Sequence, residues 1–175
     1  MIIEDDTPEQ VESRRSSLLQ NKPGNADCII DSNEKTNKGG LWIGNWRASK
    51  DVKWLLNNEI TLVITIMPEL YAQNDLLQVN KIRQEIFHCD DSKDFNISKY
   101  FSPSFLLIDK ALQEGNVLIH CGAGISRSCS LTIAYLMKKN QKGYAEISKL
   151  VKSRRKCCNP NSGFVEQLKI WETKL

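Results

Sequence analysis

The chain has 175 residues, with 24 Lys and Arg against 21 Asp and Glu and a formal net charge of +3, a length that suits one domain with a sizeable core. No apolar run reaches the ~20 residues that span a bilayer, the acidic start Met1-Ile2-Ile3-Glu4-Asp5-Asp6 lacks a signal-peptide core, and position 2 is Ile2 rather than a myristoylation glycine. Residues 1–38 carry eight acidic and five basic side chains and the remainder thirteen and nineteen, so the body is mildly basic, which suits a phosphorylated substrate and is too weak for nucleic acid.

Residues 1–38 are polar, hold no aromatic residue and contain scattered Pro, Gly, Asn and Ser. They read as a flexible N-terminal extension with one short helix, Pro8 to Leu19, capped by Thr7. Leu41 to Asn45 reads as a first strand, and Trp46 through Asn58 as a helix with Val52, Leu55 and Leu56 on its apolar side. Thr61 to Ile66 is a buried strand rich in β-branched residues. Met67 to Asn80 reads as a loop with one helical turn, and Gln84 to Cys89 as a third strand before the polar loop Asp90 to Asp94. Ile97 to Gln113 reads as a helix in which Pro103 falls within the first turns. Val117 to Ile119 is the fourth strand. Ser128 onward is a mostly apolar helix ending near Lys139-Asn140. Tyr144 to Arg155 and a segment beginning at Ser162 are the last helices. Strands alternating with helices predict an α/β domain over 39–175, with a central, mostly parallel sheet of about four to five strands.

The chemistry concentrates in His120-Cys121-Gly122-Ala123-Gly124-Ile125-Ser126-Arg127-Ser128. This stretch lies between a buried strand and a helix N-terminus, at the carboxyl end of a sheet strand, where such folds place ligands. A loop of this length over a helix start gathers backbone N–H groups into a small concavity, and the helix dipole adds partial positive charge. Gly122 and Gly124 allow the backbone to approach a ligand closely. The amides of Gly122, Ala123, Gly124, Ile125 and Ser126 would then cradle a tetrahedral dianion. The same field favours the thiolate of Cys121, and Arg127 would clamp two phosphate oxygens. The six cysteines form no CxxC pair and no disulfide framework, so free thiols in a cytoplasmic or nuclear setting are expected. With only two His and scattered Cys, no metal is expected. Arg154-Arg155-Lys156 reads as cations favoured at a helix C-terminus.

The motif loop resembles the signature loop of the dual-specificity protein phosphatases, within the cysteine-dependent protein tyrosine phosphatase superfamily. The resemblance covers most of the body. Leu41 to Asn45 is similar to the family's first strand, Asp91 to Phe101 to its general-acid loop and following helix, Ala134 to Met137 to its motif helix, and Asn159 to Phe164 with Gln167-Leu168 to its C-terminal segment. The resemblance implies a phosphotyrosine-phosphatase-like fold and two-step hydrolysis of phosphotyrosine and phosphoserine/threonine through a phosphocysteine, with no cofactor. It implies that Cys121 is the nucleophile, Arg127 the phosphate clamp, Asp91 the general acid (with Asp90 adjacent as the alternative) and Ser128 the hydroxyl that eases departure of the Cys sulfur. His120 is then a structural residue that orients the loop and tunes the thiol. The loop interior carries no Lys of the kind found in phosphoinositide phosphatases, which favours a phosphoprotein substrate. The alternatives are a non-protein substrate (phosphoinositide, phosphoglucan or RNA 5′-phosphate) and an inactive phosphate-binding module.

Overall fold

The computed structural model describes residues 25–32, 39–71 and 74–175. The helix expected from Pro8 to Leu19 lies outside these residues. Five strands form one sheet in the order β1-β2-β5-β3-β4. They are β1 (Ala26–Ile30), β2 (Leu41–Gly44), β3 (Ile60–Met67), β4 (Arg83–His88) and β5 (Asn116–His120). The pairs β2–β5, β5–β3 and β3–β4 are parallel, and β1 pairs antiparallel with β2.

Strand β1 departs from the expected flexible extension at residues 26–30, because Ala26 faces Gly44 and Cys28 faces Trp42 across the sheet. Its five residues, Ala-Asp-Cys-Ile-Ile, are too short and too mixed to stand out by pattern. Only pairing with a distant strand makes them regular.

Alternation along the central strands sorts the core onto both faces of the sheet. Val117 and Ile119 of β5, with Leu62, Ile64 and Ile66 of β3, face one cluster, while Leu118 and Val63 face the other. The larger cluster is built around α5 (Arg127–Asn140), which packs against α4 (Phe101–Ala111), α6 (Tyr144–Arg154) and α7 (Ser162–Glu172). Every residue of α5 from Ser128 to Met137 is buried. A helix apolar nearly all round belongs in the middle of a core, and here it fixes the end of the motif loop.

The opposite face is covered by α1 (Trp46–Lys50), α2 (Val52–Asn57) and α3 (Asp75–Val79), which supply Ala48, Leu55 and Leu77. The single helix expected from Trp46 to Asn58 is two. Asp51, at φ −84° and ψ 80°, leaves the helical region, and its carboxylate accepts from the Trp54 N–H to cap the second piece. As a result Leu55 is fully buried while Leu56 is half exposed. The helix expected from Ile97 likewise begins as a 3-10 turn, Ile97–Tyr100, before α4, which leaves Pro103 in the first turn of α4, where its missing N–H costs nothing. The stretch read as a loop from Met67 holds a 3-10 turn, Glu69–Tyr71, and α3.

Candidate active site

Strand β5 is hydrogen-bonded on both sides, so its carboxyl end is held rigidly. From there the chain turns through residues 121–126 into α5. The loop's carbonyls are taken up by the scaffold. Gly122 O accepts from the Trp46 N–H at 3.2 Å, Ile125 O from the Asn159 N–H at 2.8 Å, and Gly124 O from Arg155 Nε at 2.7 Å. These peptides are trans, so each carbonyl held outward turns the next residue's N–H the opposite way. The N–H groups of Ala123, Ile125 and Ser126 are thereby aimed at the inner side of the loop. They donate to no acceptor among the described residues. Gly124 sits at φ +69°, and a Cβ there would lie 2.6 Å from Gly44 O, so glycine is required at this position.

Cys121 lies at the base of the loop, 1% exposed. Its Sγ accepts from the Gly124 N–H at 3.2 Å and lies 3.3 Å from Ser128 Oγ. The Gly124 N–H donates to the sulfur, and between Cys121 and Ser128 either atom can be the donor. Arg127 anchors its guanidinium on Cys89 O at 3.1 Å and turns Nε toward Asp91 Oδ2 at 3.6 Å. Asp91 Oδ1 accepts from Ser126 Oγ at 2.7 Å and from Asn161 Nδ2 at 2.8 Å. Of the adjacent pair Asp90 and Asp91, the carboxylate that touches the loop is therefore that of Asp91. Cys121 contacts Ser128, and Arg127 and Ser126 of the same loop contact Asp91, although Asp91 and Cys121 lie 30 positions apart in sequence.

His120 points to the other face of the sheet. It is paired in register with Thr65, and its Nε2 lies 2.9 Å from Thr65 Oγ1, which also accepts from Gln84 Nε2 at 2.8 Å. Burial pulls the imidazole down from its ordinary 6.5 to about 4, so the ring is neutral near pH 7 and holds position rather than carrying charge.

Residues 41–174 match the family model for the dual specificity phosphatase catalytic domain. The chain belongs to the dual-specificity phosphatase family. It is 34% identical over 137 residues to dual specificity protein phosphatase 1B of Arabidopsis thaliana, covering 78% of this chain and 80% of that protein. It is 35% identical over 149 residues to MAP kinase phosphatase with leucine-rich repeats protein 1 of Dictyostelium discoideum, covering 85% of this chain but only 16% of that protein. Its fold is similar to the crystal structure of human tyrosine phosphatase-like serine/threonine/tyrosine-interacting protein, at a TM-score of 0.75 and 30% identity over 85% of this chain and 96% of that one. The chain thus carries a dual-specificity phosphatase catalytic domain with an α/β phosphatase fold. Among the described residues, no helix is long and apolar enough to cross a membrane.

Residues that the resemblance places only in a C-terminal segment also shape this site. Asn161 caps α7 by accepting from the Phe164 N–H, while its own N–H reaches Ser126 Oγ and its Nδ2 holds Asp91. Gln167 holds the segment that follows Asp91 through Phe95 O at 2.9 Å and the Ser98 N–H at 2.9 Å. Asn-Pro-Asn before a helix signals a cap, but not that the cap bridges two active-site loops. Arg155, read as a helix-end cation, is 1% exposed. The neighbouring thiols stay protonated. Burial pushes Cys89 up to about 12, and Cys129 is raised well above its ordinary value, first by its hydrogen bond with Cys158 and then by burial.

The depressed His120 makes a pH prediction. Between about 4 and 6.5 the unfolded imidazole binds a proton that the folded one refuses, so stability falls as pH drops through that window and is flat below it. The loss across the whole window is on the order of 3 kcal/mol. Urea unfolding at pH 7.5 and pH 4.5 should show a smaller difference for His120→Asn than for the native sequence. Equal pH slopes would remove this role.

Proposed function

We propose that this domain hydrolyses phosphotyrosine and phosphoserine/threonine on proteins, with Cys121 as nucleophile, Arg127 and the loop amides as phosphate ligands, Asp91 as general acid and base, and Ser128 as the hydroxyl that assists thiolate departure. The observation that carries the reading is the set of loop carbonyls held outward, which leaves inward-facing amides around a buried sulfur.

The Cys121 thiolate attacks phosphorus opposite the ester oxygen, the P–O bond breaks, and protonated Asp91 gives its proton to the leaving alkoxide or phenoxide. Charge on the three non-bridging oxygens meets the loop amides and the Arg127 guanidinium. In the second step the Asp91 carboxylate takes a proton from water. The resulting hydroxide attacks phosphorus, the S–P bond breaks, and the thiolate leaves toward the Ser128 hydroxyl. His120 is a structural residue of this scheme. No step calls for a cofactor.

A phosphoprotein substrate is supported by a loop whose interior, Gly-Ala-Gly-Ile-Ser, carries no cation beyond Arg127. One site can serve both phosphotyrosine and phosphoserine/threonine when the recognition is concentrated on the phosphoryl group. A reduced nucleophile implies a cytoplasmic or nuclear setting and a place in dephosphorylation-based signalling. The test is a panel of phosphotyrosyl, phosphothreonyl and phosphoseryl peptides assayed beside phosphoinositide vesicles, phosphorylated glucan and RNA with a 5′-phosphate. Turnover of the peptides at kcat/KM at least about tenfold above the others supports the reading. The reverse order would move the substrate to the non-protein class, and binding without turnover would make the domain a phosphate-binding module.

A further inference from the structure

Arg155 follows the last residue of α6, yet its side chain is fully buried. A guanidinium removed from water is stable only where its charge and N–H donors are matched. Its Nε donates to Gly124 O at 2.7 Å, and its NH1 donates to Asp27 Oδ2 at 2.5 Å. Asp27 belongs to β1 and is itself only partly exposed. The adjacent Arg154 pairs with Asp31 at 3.5 Å, and both of those side chains are largely exposed. Two neighbouring arginines thus meet two acids of the same N-terminal segment, one pair inside and one at the surface.

The inner pair reaches the centre of the phosphate loop. Arg155 holds the carbonyl of the Gly124–Ile125 peptide, so the Ile125 N–H faces the inside of the loop. The N–H of the preceding residue, Gly124, is on Cys121 Sγ. The other two outward carbonyls, Gly122 O and Ile125 O, are held by backbone N–H groups, whereas Gly124 O takes the charged Arg155 Nε at 2.7 Å as its nearest donor, with the weaker thiol donors Cys129 Sγ at 3.6 Å and Cys157 Sγ at 3.9 Å beside it. A charged donor makes a stronger bond than a neutral amide, and it polarises the peptide so that its N–H is a better donor on the far side. A Cβ on Gly124 would also lie 2.7 Å from Arg155 NH2, so the glycine admits the guanidinium as well as the turn.

We propose that Arg155 is a positioning residue for the phosphate loop and that Asp27 of strand β1 holds it in place, so that catalysis depends on a strand lying before the family's matched span of residues 41–174. Arg155 touches no reacting atom. It acts through Gly124 and Ile125. This inference rests on the reading of the loop as a phosphate cradle.

The experiment compares the full chain with Arg155→Gln, Asp27→Asn, the double variant, and Arg154→Ala as a surface control. The readouts are kcat and KM for an aryl phosphate, the affinity for inorganic phosphate by calorimetry, and the melting temperature. Arg155→Gln is expected to lower kcat/KM by roughly ten- to a hundred-fold, less than the loss of a donor that contacts the transition state, and to weaken inorganic phosphate binding in parallel. Asp27→Asn, the milder change, should move the same two quantities in the same direction. The double variant should cost less than the product of the two single losses, because the pair acts as one unit. Arg154→Ala should match the wild type. Variants that melt lower but keep kcat, KM and phosphate affinity at assay temperature would overturn the proposal and leave a structural ion pair. Should Arg155→Gln not fold, Asp27→Asn alone decides on the same readouts. Wild type that binds phosphate without turning over an aryl phosphate would count against the enzymatic reading, while the phosphate affinities would still decide the role of Arg155.

Discussion

Cys121→Ser is expected to abolish hydrolysis, to below about a ten-thousandth of the native rate, while phosphopeptide stays bound. The loop treats the two atoms very differently. Sulfur at position 121 lies 3.2 Å from the Gly124 N–H and 3.3 Å from Ser128 Oγ, and sulfur is an intrinsically strong nucleophile. A serine hydroxyl in the same place has no neighbouring base to ionise it. His120, the adjacent imidazole, faces Thr65 on the other side of the sheet. The amides and Arg127 proposed to hold phosphate are unchanged by the substitution. Turnover of an aryl phosphate and calorimetry with a phosphotyrosyl peptide check both halves. Appreciable residual turnover would mean that another group attacks phosphorus.

Asp91→Asn is expected to lower kcat by roughly 10²–10⁴-fold for phosphoseryl and phosphotyrosyl peptides. The amide retains an oxygen to accept from Ser126 Oγ and Asn161 Nδ2, so the acid loop stays placed and the loss is chemical. Its diagnostic feature is dependence on the leaving group. An alkoxide needs the proton most and a nitrophenoxide least, so the loss should shrink as the leaving oxygen becomes less basic. Asp90→Asn provides the comparison, since Asp90 precedes the carboxylate that contacts the loop. A greater loss from Asp90→Asn than from Asp91→Asn would reassign the acid.

Much of this architecture was legible because its signals are local. The parallel sheet follows from β-branched runs such as Thr61 to Ile66 set between helical stretches, and the motif loop is contiguous from His120 to Ser128. What escaped the sequence depends on distant partners. Ala26–Ile30 becomes a strand only through Leu41–Gly44. Arg154 and Arg155 are identical residues in a cationic run, and nothing local distinguishes the exposed one from the buried one, because Asp27 lies more than a hundred positions away. Asn161 reads as a helix cap and is one, but its bond to Asp91 crosses 70 positions. The break at Asp51 was hidden for another reason, since the segment from Trp46 is helical on both sides and the Asp51 side chain competes locally with the backbone it interrupts.

A covalent phosphocysteine at Cys121 is the centre of the proposed chemistry, and the measurement that reaches it most directly uses Ser128→Ala. Loss of the hydroxyl 3.3 Å from the sulfur should slow thiolate departure more than attack, so the intermediate should accumulate. Acid-quenching this variant during turnover of a saturating aryl phosphate, followed by peptide mass spectrometry, is expected to show one phosphoryl group on the peptide that contains Cys121, together with a burst of phenol near one equivalent of enzyme. Steady turnover with no phosphoryl group on the protein, or with the phosphoryl group on any other residue, would contradict the account.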